Sequence, residues 1–577
     1  MDVCRRQLDL VVFFAALVLV LVCVGLGNAT FWDDEAFVVF AAKNFLAHGV
    51  LSSWDGRNLY APRNGVGFCG TFHVSIPPLD ILLAALSVKL FGVSNAAARL
   101  PFALCAVASV PVMAEVFRLR IGGRRSLLAI YLTVICLSCA FLLPARNCRY
   151  YEASLLLACV TYYAYWRAFT ERNGLMYVLF VAASVGLFYA SYLLCAAFLL
   201  AVAIVHLVYY RREMARAQWV AFGICAVGIG LLTLPYVLRN HGLALVYDEY
   251  TPPWICVHTA LLWLNLRDLN LWNVLPWMLM VGLWLLLKGS ETPGSFAVNF
   301  GKAAFRVEHP EVPLESGEPA REAVIRQWTL LIFVYVVWIS LLSPQLPGGQ
   351  SIADIRYLIP ILPWAAAASA YFIWRIYRVF PRLGIGVLVV LTATNLFSTV
   401  PEQLAGTFRD AAAVRLMLPA YISEITRPYP TCDSAVLDYL RGRMRQDEEI
   451  VTSPQYFMYT LMAYEGDTLR TCCMLDQTSM ISDAVVRGLG APLYDFRSTP
   501  TWIIVYNGQQ GDEELVHYYS RWHKENGRLL RHKYRLVKTI RTKTQEMQRP
   551  ELPWHSFGPP KDLSTPGDLV QIYHLES

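Results

Sequence analysis

Long apolar runs, separated by short polar loops, fill residues 1–400 and limit what this chain can fold into. A helix needs about 20 apolar residues to cross a bilayer, and the run at residues 8–27 meets that length. Charged residues make up 16% of the chain, whereas soluble domains carry about a quarter. We therefore expect a polytopic α-helical membrane domain over residues 1–400, followed by a soluble domain over residues 401–577.

The positions of the arginines predict how the helices are oriented, because loops rich in arginine and lysine stay in the cytoplasm. The clusters at residues 118–125, 211–212 and 375–382 follow this rule if the N-terminus is cytoplasmic. The first apolar run is longer than the usual core of a signal peptide, so it is interpreted as a retained helix. On this topology about eleven helices cross the membrane, and both the long first loop (28–76) and the C-terminal domain are extracytoplasmic.

The helices are predicted from the apolar runs themselves. They cover residues 8–27, 95–117, 126–143, 153–169, 175–189, 191–210, 218–238, 271–287, 327–342, 357–377 and 383–400. Two shorter segments, at 35–48 and 80–91, are predicted to lie in the membrane interface, the first as an amphipathic helix. Residues 239–270 are interpreted as a second external loop and residues 289–326 as a flexible cytoplasmic loop.

The soluble part alternates between strand and helix patterns. Buried strands are expected at residues 449–452 and 501–506, later strands at 534–540 and 569–574, and a helix at 435–445. This alternation predicts a small α/β domain. If the domain is extracytoplasmic, Cys432 can pair with Cys472 or Cys473, the alternative being free thiols.

Four polar islands are expected to meet at the outer face of the membrane, at residues 33–35, 73–78, 146–152 and 354–357. Each alone could be a solvated helix end, because charge costs little at the membrane boundary. Arg146, Arg149 and Arg356, however, lie on the side where positive charge is unexpected. An anion held at that face, either a lipid headgroup or a phosphorylated substrate, explains them most simply.

Carboxylates beside a bound phosphate have a chemical use. Asp33, Asp34 and Glu35 can accept a proton from an acceptor hydroxyl or amine while arginine stabilises the charge on a departing phosphate. The same cluster can hold a divalent cation, although the sequence requires no cofactor. His73 can assist, but a lone histidine in a loop is more often simply exposed. The sequence shows no basic face of the kind that a nucleic-acid partner needs.

The motifs in these islands resemble those of one enzyme superfamily. The sequence is similar to the GT-C glycosyltransferases, in the branch that contains the protein O-mannosyltransferases and the bacterial lipid A aminoarabinose transferases. The similarity covers residues 8–170 well and 327–400 loosely. It rests on Trp32-Asp33-Asp34-Glu35, Ile76-Pro77-Pro78-Leu79, Ala98-Arg99-Leu100-Pro101, Arg146-Asn147-Cys148-Arg149-Tyr150-Tyr151-Glu152 and Arg356-Tyr357-Leu358-Ile359-Pro360. Ile76 departs from the lysine of the lipid A branch, and His73 is displaced from the histidine that often precedes the two prolines.

The resemblance implies an inverting transferase that moves a sugar from a polyprenyl-phosphate carrier to a lipid, polysaccharide or protein. Asp34 matches the catalytic carboxylate, with Glu35 beside it and Asp33 as an extra carboxylate. Arg356 matches the contact to the donor phosphate. The residues expected to bind substrate are Arg146, Arg149, Glu152, Arg356, Tyr357 and His73. The C-terminal domain lacks the repeats of eukaryotic O-mannosyltransferases, which favours a bacterial inner-membrane enzyme.

Two other classes of function remain open. The first is a polytopic transporter or flippase of a glycolipid, although transporters place ionisable residues near the membrane midplane and not at one face. The second is a non-catalytic assembly subunit of the cell envelope, in which Asp34 could be replaced without loss of function.

Overall fold

A computed structural model gives the fold and describes most of the chain. The described residues are 2–60, 68–69, 72–73, 77–239, 254–282, 297–300, 303–306, 318–343, 355–405, 414–446, 448–453, 457–474, 486, 488–494, 499–507, 533–544, 549 and 568–576.

The part of the chain up to residue 405 is mostly helical. Its helices are α1 (Asp2–Cys23), α2 (Asp33–His48), α3 (Pro78–Phe91), α4 (Asn95–Ile121), α5 (Arg125–Cys136), α6 (Cys139–Leu142), α7 (Tyr151–Glu171), α8 (Gly174–Ala190), α9 (Tyr192–Tyr209), α10 (Arg216–Arg239), α11 (Trp254–Leu271), α12 (Glu318–Leu342), α13 (Leu362–Val379), α14 (Pro381–Ala393) and α15 (Leu396–Ala405). Short 3-10 turns cover Pro144–Arg146, Ile355–Tyr357 and Ile359–Ile361.

Within the described residues, five helices are long and apolar enough to cross a membrane, or six if one bent pair is a single span. The five are Asn95–Ile121, Tyr192–Tyr209, Arg216–Arg239, Glu318–Leu342 and Ile359–Val379. Shorter apolar helices lie at Gln7–Cys23, Gly174–Ala190 and Pro381–Ala393. The chain is therefore a multi-pass membrane protein, as expected.

Two segments predicted as single helices are broken. The helix expected at 126–143 bends by 56° between α5 and the segment Cys139–Arg146. The helix expected at 383–400 stops at Ala393 and resumes at Leu396. At this second break the Thr394 hydroxyl accepts the Leu396 N–H, and the Asn395 side chain accepts the N–H of Arg415. Such side-chain bonds compete with the helix for backbone groups.

The predicted loops also contain structure. Residues 254–271, expected within an external loop, form α11, because Asn265, Arg267 and Asp268 lower its hydropathy without preventing burial. Asn265 donates a hydrogen bond of 2.9 Å to the Ser340 hydroxyl of α12. Residues 289–326, expected to be a flexible loop, contain an antiparallel hairpin of β3 (Ala297–Phe300) and β4 (Ala303–Arg306) and the start of α12.

Helix α2 begins close to where it was predicted, but its surroundings differ from the prediction. An amphipathic helix lying on the membrane would leave one face to lipid, whereas residues 35–42 of α2 are all buried. Helix α3 packs on one side and the C-terminal helix α18 (Phe457–Glu465) on the other. The run Ala36–Ala42 is apolar on every face, which is typical of a helix enclosed by protein.

The C-terminal part contains a mixed sheet, as the alternating pattern predicted. Its five strands run in the order β10 (Tyr534–Arg541), β11 (Leu569–Leu575), β9 (Trp502–Asn507), β5 (Glu449–Ser453) and β6 (Arg470–Thr471). Strand β5 is parallel to both neighbours, and β9, β11 and β10 are antiparallel. The other elements there are α16 (Met417–Ile425), α17 (Cys432–Leu440), α18, β7 (Cys473–Met474) and β8 (Leu493–Tyr494).

Of the two alternatives for Cys432, the structure favours the one without a disulfide. Cys432 and Cys472 are both buried, and neither is in a disulfide bond. The Cys432 sulfur lies 3.6 Å from the Thr542 hydroxyl and 3.7 Å from an Asp568 carboxylate oxygen, beside strand β11. The side chain of Cys473 lies outside the described residues.

The close contact between α13 and α14 predicts that adding one methyl group to α14 lowers stability at one glycine and not at another. A Cβ atom on Gly384 would lie 2.5 Å from the Tyr377 Cα, whereas a Cβ on Gly386 meets nothing within 4 Å. We expect Gly384→Ala to destabilise the protein by about 1–3 kcal/mol because backbone must move. Gly386→Ala, on the same helix, should be neutral or stabilising by up to about 1 kcal/mol through helix propensity. Thermal unfolding of the two purified variants tests this, and equal melting temperatures would contradict the packing of α14.

Candidate active site

The first turn of α2 carries three consecutive carboxylates, Asp33, Asp34 and Glu35. The partial positive charge at a helix N-terminus favours carboxylates in this turn. The N-cap residue, Trp32, makes no side-chain capping hydrogen bond to this turn. Consecutive helical residues point about 100° apart, so the three carboxylates meet different surroundings.

Glu35 is completely buried in an ion pair with Arg99 of α4. The Arg99 Nε and Nη2 atoms donate to the two carboxylate oxygens at 2.8 and 2.6 Å, and neither side chain is more than 1% exposed. Glu35 also accepts the Cys148 backbone N–H at 2.7 Å. Two parallel hydrogen bonds between a guanidinium and a carboxylate form a bidentate ion pair. This geometry offsets the free-energy cost of removing both charges from water.

Arg99 also holds the loop that leads into α2. Its guanidinium donates to the carbonyl oxygens of Leu26 and Ala29 at 3.0 Å and of Thr30 at 3.2 Å. The residue belongs to one of the motifs identified in the sequence, but the sequence assigned it no role. It is a functional residue that sequence reasoning missed, and the signal for it was an arginine inside an apolar helix.

Asp34 turns to the opposite side and meets two arginines. The Arg149 Nη2 atom lies 3.1 Å from an Asp34 carboxylate oxygen, and the Arg356 Nη1 atom lies 3.7 Å from the same oxygen. The Asp34 side chain is 27% exposed, against 9% for Arg149 and 16% for Arg356. Three of the predicted polar islands thus converge on one accessible carboxylate.

Each residue of the segment 147–149 contacts a residue at or just before the start of α2. Asn147 accepts a hydrogen bond of 2.9 Å from the Trp32 indole N–H. The next residue, Cys148, donates its N–H to Glu35, and Arg149 pairs with Asp34. The register between these two segments is therefore fixed by three consecutive contacts.

Asp33 has an altered acidity. It is partly buried, and its pKa is raised from the ordinary value to about 7. Burial is the largest cause and the adjacent Asp34 carboxylate the next, whereas a backbone hydrogen bond and the charges of Arg149 and Arg356 lower the pKa. A carboxyl group with this pKa exchanges protons near neutral pH.

Two residues predicted to bind substrate, Arg146 and Glu152, are buried in the protein. Arg146 donates hydrogen bonds of 2.6–2.9 Å to the carbonyl oxygens of Val22, Val24 and Gly25, so it caps the end of α1. Arginine suits this place because the last carbonyls of a helix lack partners within it. Glu152 is fully buried, and within the described part of the chain neither of its oxygens has a hydrogen-bond partner.

Two further residues were predicted to bind substrate, Tyr357 and His73. Tyr357 follows Arg356 directly, and its ring lies 5.2 Å from the Arg356 guanidinium. Its carbonyl accepts a hydrogen bond of 2.7 Å from the Tyr335 hydroxyl. His73 lies in β2 (Phe72–His73), which pairs with β1 (Phe68–Cys69), and its side chain is outside the described residues.

Sequence reasoning also missed Tyr60 and Asp80. Burial first, then Tyr459 and the Asp34 and Asp33 carboxylates, raise the pKa of Tyr60 well above its ordinary value, which places this phenol beside the site. Asp80 in α3 is fully buried, and burial raises its pKa, whereas the Arg149 charge and a hydrogen bond from the Tyr150 backbone lower it. The signal for Asp80 was an aspartate inside an apolar segment, whereas nothing in the local sequence marks Tyr60.

Among the residues that the structure describes, no three His, Cys, Asp or Glu side chains come together as ligands for a metal ion. Glu35 is turned away from Asp34 and is already paired with Arg99. The divalent cation considered for the carboxylate cluster stays a prediction.

Comparison with known proteins agrees with the motifs. Residues 75–237 match a family model described as dolichyl-phosphate-mannose-protein mannosyltransferase. This segment includes Arg99 and Arg149, and the match confirms the family resemblance found in the sequence. No curated protein matches the chain in sequence.

The fold is similar to that of ArnT from Cupriavidus metallidurans. The apo structure of that protein aligns with a TM-score of 0.58 and 13% identity, over 97% of each chain. Its structure bound to undecaprenyl phosphate aligns with a TM-score of 0.55, again at 13% identity over 97% of each chain. The two proteins thus share a fold over nearly their whole length.

The buried ion pair predicts non-additive mutant stabilities. Arg99→Met leaves the Glu35 carboxylate buried without its partner, so we expect a loss of about 3–5 kcal/mol of unfolding free energy. The double variant Arg99→Met/Glu35→Gln should be less destabilised, because no charge is left unpaired. Arg118→Met, which breaks the more exposed pair with Glu115, should cost at most about 1 kcal/mol. Thermal unfolding of these three variants and of Glu35→Gln alone completes the cycle, and a double variant whose loss equals the sum of the two single losses would contradict the coupling.

The pKa of Asp33 predicts a pH dependence of stability. The folded protein keeps the Asp33 proton up to a pH of about 7, whereas the unfolded chain releases it at a pH of about 4. Between these values the folded state binds more protons, so this residue lowers the unfolding free energy as pH rises. The melting temperature of wild type minus that of Asp33→Asn should therefore fall from pH 5 to pH 8. A difference that stays constant would exclude the raised pKa.

Proposed function

We propose that this chain is a glycosyltransferase dependent on polyprenyl-phosphate sugars, which the family match and the motifs support, and that it uses Asp34 as its catalytic base. The observation that carries the proposal is the position of Asp34 between Arg149 and Arg356. This carboxylate is more exposed than either arginine, so an incoming acceptor can reach it. Both arginines stand where the phosphate of a donor would be neutralised.

The chemistry follows from this arrangement. The acceptor hydroxyl or amine attacks the anomeric carbon of the sugar while its proton passes to Asp34. The bond between that carbon and the phosphate oxygen breaks, and polyprenyl phosphate leaves with the electron pair. Arg149 and Arg356 stabilise the charge that develops on the phosphate. A single displacement from the opposite side inverts the configuration at the sugar.

The binding of the donor changes what the arginines do. Before binding, both guanidinium groups are directed at the Asp34 carboxylate. A phosphate between them competes for the same N–H groups, which frees the carboxylate to accept a proton. Asp33 lies beside it with a pKa of about 7 and is the second candidate for the base.

Glu35 serves a different purpose in this proposal. Both of its oxygens are occupied by Arg99 and it is fully buried, so it orients the first turn of α2 and does not touch substrate. Arg146 likewise holds α1 in place. Tyr357 and His73 remain candidates for contacts to the donor.

The remaining parts of the proposal concern orientation and substrates. The N-terminus is cytoplasmic, about eleven helices cross the membrane, and the site faces the extracytoplasmic side of a bacterial inner membrane. The carrier is undecaprenyl phosphate, the lipid bound in one structure of ArnT, which shares this fold. The acceptor is a lipid, a polysaccharide or a protein.

The first test is transfer of labelled sugar from polyprenyl phosphate in membranes that contain the chain. Asp34→Asn keeps the size of the side chain but removes the proton acceptor, so transfer should fall by about 10²–10⁴-fold. Asp438→Asn is a matched control, because that carboxylate is 75% exposed on α17 and far from the site in sequence. It should transfer at the wild-type rate.

The other outcomes of this assay have distinct meanings. Full transfer by Asp34→Asn would overturn the assignment of the base and direct attention to Asp33. If wild-type membranes supplied with acceptor extracts consume none of several donors, the glycosyltransferase proposal fails for those donors. The transporter and assembly functions are then the ones to test.

A further inference from the structure

Side chains of helix α18, in the C-terminal domain, form hydrogen bonds with the backbone of Phe31, just before the carboxylates of α2. The Phe31 N–H donates to the Tyr464 hydroxyl at 3.1 Å, and the Thr460 hydroxyl donates to the Phe31 carbonyl at 3.1 Å. The rings of Phe31 and Tyr464 also stack at 5.3 Å. Both backbone groups of Phe31, two residues before Asp33, are therefore held by side chains more than 400 residues away in the chain.

A second contact reaches the site from the same helix. The Tyr60 ring lies between Phe37 of α2, at 4.1 Å, and Tyr459 of α18, at 4.0 Å. Tyr60 and Tyr459 are only 3% and 4% exposed. The pKa of Tyr60 responds to both Asp34 and Asp33, so this stack ends at the carboxylates. Such aromatic packing is worth more than its buried area alone.

A third contact fixes the first loop itself. The Asn58 amide donates to Asp55 at 3.1 Å and to the Gly466 carbonyl at 2.9 Å. Its oxygen accepts the backbone N–H of Thr471 at 2.7 Å and the Thr471 hydroxyl at 3.0 Å. The amide is fully buried and all four of its hydrogen-bonding positions are used. Its partners at residues 466 and 471 lie in the C-terminal domain.

We propose that α18 positions the catalytic carboxylates: Tyr464 and Thr460 hold the backbone at Phe31, just before α2, and Tyr459 packs Tyr60 against Phe37, just after the first turn of α2. On this proposal, side chains of the C-terminal domain help to position the residues of the active site. This inference rests on the proposed role of Asp34, because positioning matters only if that turn carries the base.

The physical reason lies in how α2 begins. Its first turn has no capping side chain from Trp32, and it carries Asp33 and Asp34 side by side. Burial first, and then the neighbouring Asp34 carboxylate, raise the pKa of Asp33, and the repulsion between the two carboxylates works against a compact turn. The first turn of a helix without a cap frays readily. The ion pair of Glu35 with Arg99 restrains this turn from one side, and the contacts from α18 restrain the backbone that leads into it.

The experiment compares three tyrosine and threonine variants by two measurements. Tyr464→Phe removes the hydroxyl that binds Phe31 but keeps the ring stack, and Tyr464→Phe/Thr460→Val removes both backbone contacts. Tyr573→Phe is the control, because its hydroxyl bonds only Gln571, two residues away on β11, among the contacts described. The first measurement is amide hydrogen exchange over residues 29–40 and 78–91, and the second is donor turnover at saturating polyprenyl-phosphate sugar.

The proposal expects exchange over residues 29–40 to speed up by about fivefold to tenfold in the double variant, the factor that a typical hydrogen bond supplies. Exchange over α3 should not change. The saturating rate should fall by about tenfold or more with little change in the donor KM, because a displaced base slows the chemical step. Tyr464→Phe should give a smaller effect of the same kind, and Tyr573→Phe none.

Two results would overturn the proposal. Unchanged exchange over residues 29–40 in the double variant would mean that α18 does not restrain α2. Faster exchange with an unchanged saturating rate would mean that the contact only docks the domain. Asp34→Asn is measured alongside: if it keeps full turnover, the base assignment fails, whereas the exchange data still decide whether α18 holds this turn.

Discussion

The buried ion pair between Glu35 and Arg99 is the interaction on which the site depends. It joins the first turn of α2 to α4 with two short hydrogen bonds, and Glu35 also binds the backbone at Cys148. A buried charge without its partner is strongly destabilising, so α2, α4 and the segment 147–149 can assemble in only one register. That register leaves Asp34 facing the two arginines.

The site therefore contains one carboxylate that is fully buried and another that is partly exposed. The Glu35 carboxylate is fully buried and satisfied, whereas the Asp34 carboxylate is partly exposed and shared between Arg149 and Arg356. Two carboxylates one residue apart thus have opposite environments, because a helix points them in different directions. The same division applies to the arginines, since Arg146 caps α1 while Arg149, three residues later, reaches Asp34.

Much of the fold was predictable because it is local. The apolar runs identified the membrane domain, and the four principal strands of the C-terminal sheet were expected within one residue of where they occur. The errors were also local in origin. The break at residues 394–395 depends on side-chain bonds to the backbone, and α11 was missed because Arg267 and Asp268 lowered its hydropathy.

The sequence by itself determined that the chain crosses a membrane several times, that carboxylates follow the first helix, and that arginines stand where positive charge is unexpected. Only the tertiary structure decided which of these groups meet. Glu35 and Arg99 are 64 residues apart, and Phe31 and Tyr464 are 433 apart, so no local pattern encodes their contact. A side chain acquires its role from its neighbours in space, and burial, hydrogen bonding and charge compensation are set only when distant segments pack together.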